Sequence, residues 1–226
     1  LENINKHNFA VKEKNDLKKL YSFRSKVIKE FIEDITTTES KRAISTCQNC
    51  TIQSINSLDH YLPKNEFSEF TVNPKNLFPS CSECNRYKSN NWIKNGQRLF
   101  LNLYLDQLPQ IQYLFVDIEV VDESVETDFY LDNPQNKIDN EFFSIISSHY
   151  KKLNLLERFS KNGDEVISEL VTTISLRDNK LSLKEKAEEV SKVCKGSRNI
   201  FGYNHWKDIL KISLVKNENF IGKIVK

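Results

Sequence analysis

Residues 47–90 read CQNCTIQSINSLDHYLPKNEFSEFTVNPKNLFPSCSECNRYKSN, and this stretch decides the fold. Four of the five cysteines stand here as two pairs, Cys47-x-x-Cys50 and Cys81-x-x-Cys84. Zinc prefers tetrahedral sulfur, and each C-x-x-C turn presents two thiolates on one side. Paired spacing of this kind, with no secretory signal in view, favours a metal over disulfides. Four sulfurs close the coordination sphere, so the expected zinc is structural. An iron–sulfur cluster uses the same ligands, but the long polar loop between the pairs argues against it. The stretch is poor in apolar residues, holds Pro63, Pro74 and Pro79 and shows no helical period. It reads as irregular with two short strands, and it needs a staple.

Working outward, residues 15–35 carry Leu17, Leu20, Tyr21, Val27, Ile28, Phe31, Ile32 and Ile35 at spacings of mainly three and four. That predicts one amphipathic helix. Residues 85–105 predict a helix broken near Asn95-Gly96 and stopped by Pro109. QIQYLFVDIEVV at 110–121 predicts a strand. Further on, the signal is helical: one helix through 142–159, a break at Asn162-Gly163, another through 166–174, a third opened by the capping box Ser182–Glu185 and ended by Gly196, and a last at 204–215. The expected class is α+β. Its parts are an N-terminal helical segment (1–42), a small zinc-stapled core (43–105) and a mainly helical region (106–226).

The whole composition sets bounds. The chain has 226 residues, 38% hydrophobic and 28% charged, which is globular. Five Gly and five Pro exclude collagen-like and low-complexity readings. No apolar run reaches the roughly 18 residues a bilayer span needs, so no membrane role is expected. The opening LENINKHNFA lacks signal-peptide regions, and the expected location is the cytoplasm; the natural start is left open. A net charge of +2 excludes a uniformly basic nucleic-acid binder. The charges are segregated, however. Residues 85–104 hold Arg86, Lys88, Lys94 and Arg98 without an acid, whereas 105–145 hold ten acids against Lys137 alone. That pattern suggests a polyanion site beside a differently committed face.

Between the cysteine pairs lies Asp59-His60, and Asn85 follows Cys84 directly. A histidine held in a metal-stapled loop suits a general base. Asp59 and Asn85 offer hard oxygens to a magnesium-like ion. The run C-x-x-C, D-H-x-x-P-K, N-L-x-P-x-C-x-x-C-N-x-x-K-S resembles the ββα-metal core of HNH endonucleases, in the subgroup framed by a four-cysteine zinc site. The likeness covers about residues 43–95, and the third signature position is Asn85 rather than His. The resemblance implies that His60 activates water, that Asp59 and Asn85 ligate one catalytic Mg²⁺ or Mn²⁺, and that Asn76 braces the loop carrying the base. Arg86, Lys88 and Lys64 are candidates for phosphate contacts.

A softer resemblance, on Trp92 to Pro109 with GQRLFLNLYLDQLP, is to the HNH component of bacterial phage-defence systems such as Septu, where the nuclease works beside an ATPase. It implies DNA as substrate, phage or plasmid, and an ATPase partner. An acidic strip repels DNA and suits a basic protein, and the apolar strand at 110–121 needs its edge covered. The alternatives are a stand-alone restriction-like nuclease, an RNA-cleaving nuclease and a non-catalytic zinc-stapled DNA-binding module. His149 reads as a partly buried or surface histidine, Cys194 as a buried small apolar residue, His205 as part of a helix start, and Trp92 and Trp206 as core anchors.

Overall fold

A computed structural model describes residues 4–39, 41–176 and 180–225. The class is mixed α+β. The chain divides into two compact units, Leu1–Gln107 with Ser144–Leu153, and Leu108–Phe143 with Asn154–Lys226. The first unit thus takes in both the segment 1–42 and the segment 43–105.

The first unit opens with two helices where the apolar period suggested one. Helix α1 spans Val11–Lys19 and α2 spans Lys26–Thr36. Ser25 restarts the helix: its hydroxyl accepts the Ile28 N–H at 3.4 Å, as an N-cap does. The merged stripe counted Leu20 and Val27 as core, yet both are exposed. Ile28 carries the packing, against Leu58 and Leu77. Those two belong to β1 (Ser57–His60) and β2 (Leu77–Ser80), which pair antiparallel with Asp59 opposite Phe78 and His60 opposite Leu77. Helix α3, Ser82–Lys88, follows at once. Its N-cap is Cys81, whose sulfur accepts the Cys84 N–H at 3.4 Å.

Beyond Lys88 the expected helix is absent. Ile93–Lys94 (β3) and Gln97–Arg98 (β4) form a tight hairpin. Asn95 and Gly96 take φ of 52° and 77°, the left-handed pair that a two-residue hairpin turn requires. Trp92 is buried edge-on against Phe67, with ring centroids 5.3 Å apart. Residues 144–153 add the C-terminal part of α4, Asn140–Lys152. There His149 accepts the Leu101 N–H through Nδ1 at 3.3 Å.

The second unit is built on a hairpin. The strand expected at 110–121 forms as β5, Leu114–Val121, and pairs along its whole length with β6, Ser124–Leu131. One edge of the apolar strand is therefore taken by the chain itself. Its inner face buries Leu114, Val116 and Phe129. Phe129 meets Phe159 of α5 (Leu155–Lys161) at 5.6 Å and Trp206 of α9 (Trp206–Lys216) at 6.2 Å. Asn204 fastens the start of β5, accepting the N–H groups of Tyr113 and Leu114. The helix expected through 142–159 is split at Asn154, which has φ of 52°. Helix α6 is Gly163–Ser175 and α7 is Leu183–Gly196, opened by the Ser182–Glu185 capping box. The short α8, Arg198–Phe201, precedes α9, with His205 as the N-cap residue of α9.

Candidate active site and metal centre

The two C-x-x-C pairs come together at one end of the β1–β2 pair. Cys47 and Cys50 lie on the loop before β1, and Cys81 and Cys84 at the start of α3. All four are buried and unbridged, and their sulfurs lie within 4.8 Å of one another. Cys50 and Cys81 are 3.8 Å apart. A tetrahedron with zinc–sulfur bonds of about 2.3 Å has edges of about 3.8 Å, so the cluster fits the ion. Hydrogen bonds from Cys50, Cys81 and Cys84 hold the Cys47 thiol far below its ordinary value. The cluster is a four-sulfur site that could hold zinc, with no position left for a substrate.

Asp59 and His60 end β1, and Asn85 sits on the first turns of α3. All three line one open pocket of about 400 Å³, with Lys64 at its side and Tyr21 and Phe23 as apolar wall. His60 Nε2 is 2.9 Å from the Thr71 carbonyl oxygen. A carbonyl only accepts, so Nε2 carries the hydrogen and Nδ1 keeps its lone pair. Burial lowers the His60 pKa to about 4, with Lys64 and Lys88 acting the same way and the Thr71 bond opposing. The imidazole is therefore neutral near pH 7, the form a base requires. Tyr21 meets the ring edge-on at 4.7 Å.

Asn85 points its amide nitrogen at β1, 3.4 Å from Ser57 Oγ and 3.5 Å from the Leu58 carbonyl. Its amide oxygen is the remaining atom that could bind a cation. Asp59 is buried, which pushes its carboxyl up against the opposing pull of Lys88. One carboxylate oxygen and one amide oxygen are hard donors that fit magnesium or manganese. Asn76 stands outside the open pocket. It accepts the Leu62 N–H at 2.7 Å and donates to the carbonyls of Leu62 and Phe70, closing the loop after His60.

The basic candidates separate. Lys64 lies over the Tyr21 ring at 5.3 Å, on the pocket side. Arg86 is exposed and stacks on Tyr87. Lys88 does not suit a phosphate contact, because it is turned inward and only 3% exposed. Its ammonium donates to the His60 carbonyl at 2.7 Å and lies 3.2 Å from Asp59 Oδ1. The spacing after Asn85 placed Lys88 on α3 but did not reveal its inward side. Tyr21, Phe23 and the Thr71 carbonyl were missed. Nothing in the sequence links them to His60, since long-range packing brings them there.

Comparison with known proteins adds little. No family model matches the chain, and no solved structure does. The chain is 25% identical over 164 residues to protein ea31 of Escherichia phage lambda, covering 69% of this chain and 53% of that protein. It therefore spans about half the length of that relative. Among the described residues, no helix is long and apolar enough to cross a membrane.

Proposed function

We propose that this chain is a metal-dependent endonuclease of the HNH type that hydrolyses phosphodiester bonds in DNA. One arrangement carries the reading. A neutral histidine, a carboxylate and an amide oxygen from an antiparallel strand pair and the next helix open on one pocket, beside a four-sulfur site. His60 Nδ1 takes the proton from water as that water attacks phosphorus. The Thr71 carbonyl keeps the ring in the required tautomer. A divalent ion, magnesium or manganese, when held by Asp59 and Asn85, supplies positive charge that stabilises the phosphorane-like state and the leaving oxygen. Lys64 and Arg86 meet flanking phosphates. The zinc site holds β2 and α3 in place and takes no part in the chemistry.

The second unit supports an effector role in a bacterial anti-phage complex with an ATPase partner. The outer face of its hairpin sets Asp117 opposite Asp128 and Glu119 opposite Glu126. Like charges directly opposite are unfavourable, and no ion pair among the described residues relieves them. Such a face repels nucleic acid and suits a basic protein surface. Incubating the chain with supercoiled plasmid, linear DNA and transfer RNA, with and without magnesium, tests the activity. Magnesium-dependent DNA cleavage is expected. Cleavage of RNA alone would favour the RNA-cleaving alternative, and no cleavage of either would leave a zinc-stapled binding module.

A further inference from the structure

Lys88 is a buried cation that the nuclease reading does not use. We infer that Lys88 is an internal counter-ion, which holds Asp59 to a single metal-facing oxygen and weakens the grip of the nucleic-acid-free protein on its catalytic ion. The inference rests on Asp59 and Asn85 being that ion's ligands. The Lys88 and Asp59 side chains are 4% and 7% exposed, and the ammonium sits 3.2 Å from Oδ1. A buried ammonium and a buried carboxylate each need a partner, and here each serves the other. Nζ also reaches the His60 carbonyl and lies within 6 Å of the Tyr61 and Phe100 ring centres, so its position is fixed on several sides.

The direction of approach matters. Asp59 lines two spaces, the open pocket with His60 and Asn85 and a second, much smaller one of about 20 Å³. Lys88 lines the smaller space and not the open pocket. Its ammonium engages Oδ1, so Oδ2 is the oxygen assigned to the ion. An ion bound there faces one carboxylate, one neutral amide and, through the carboxylate, one ammonium. Carboxylate and ammonium cancel, and Lys64 at the side of the pocket adds a further positive charge. Because the ammonium is buried, its repulsion of a divalent ion on Asp59 is screened less than that between two exposed charges. The missing negative charge comes from a phosphate of the nucleic acid, so ion and substrate load together.

The test is a titration of the zinc-loaded full chain with Mn²⁺ alone, reading free Mn²⁺ by electron paramagnetic resonance. Lys88→Met should bind Mn²⁺ at least tenfold more tightly than the wild type. Lys88→Arg keeps the charge and should stay within about threefold of the wild type. Asp59→Ala should lose saturable binding. Zinc content and circular dichroism check each fold. If Lys88→Met does not fold, Lys88→Gln, which can still donate to the His60 carbonyl, is read the same way. Affinity no tighter than wild type in the neutral variant, with binding still lost in Asp59→Ala, overturns the role of Lys88 and leaves the metal site standing. Wild-type binding in Asp59→Ala overturns the metal site, and the inference falls with it.

Discussion

At the scale of single residues, proximity was legible where it follows from residue type and spacing. The four cysteines cluster, and Asp59, His60 and Asn85 line one pocket. Lys88 was misread because a lysine on α3 shows its type and not its direction. Cys47→Ser should remove a zinc ligand from a stretch with little apolar core. We expect loss of zinc by metal analysis and a destabilisation of several kcal/mol, on the scale of structural zinc sites. His149 gives a pH prediction. Burial lowers its pKa to about 4, with Asp106 opposing, and its Nδ1 accepts from the Leu101 N–H. The unfolded chain, with a value near 6.5, takes up the proton first as pH falls. The contribution of neutral His149 is thus complete above pH 6.5 and is lost as pH falls toward 4, at up to ~1.4 kcal/mol per pH unit. His60 acts with the same sign, so the informative comparison is between variants. Denaturant unfolding of His149→Gln from pH 7 to 4 should show a flatter acid limb than the wild type.

At the scale of elements, periodicity found the helices of the second unit and misplaced boundaries in the first. The stripe over 15–35 ran through the Ser25 cap, because a cap is one hydroxyl and the period ignores it. Asn95-Gly96 was read as a helix break, although it is a strong hairpin turn signal. The strands it joins are only two residues each, too short to show alternation. β6 went unread for a related reason: SVETDFYL is acidic, and its inner residues are mostly half-buried. The hairpin turn is open to test at Gly96, which has φ of +77° and no atom within 4 Å of an added Cβ. Any cost of Gly96→Val therefore comes from the backbone alone. We expect a loss of roughly 1 to 2 kcal/mol in unfolding free energy, with zinc content unchanged. An unaltered stability curve would refute the turn.

At the scale of the whole molecule, the pocket lined by Asp59, His60 and Asn85 belongs to one unit and an acidic sheet face to the other. The sequence announced the acid excess, but the facing of Asp117 with Asp128 and Glu119 with Glu126 needed the register of β5 and β6. Charge reversal of Glu126 and Asp128 to Lys should stabilise the hairpin by about 0.5 kcal/mol per relieved pair. Reversal of Asp122, Glu123, Glu126 and Asp128 together should cut co-purification with a basic ATPase partner while isolated cleavage survives. Undiminished co-purification would free this face from the partner role. The central claim is that His60, positioned by Thr71 and flanked by Asp59 and Asn85, cuts a phosphodiester bond. Its most direct test is magnesium-dependent nicking of supercoiled plasmid by the zinc-loaded wild type beside folded, zinc-loaded His60→Ala. The wild type should cut, and the variant should lose activity by roughly 10² to 10⁴ while still binding DNA. Equal cutting by the two proteins, or no cutting by the wild type, would contradict the account.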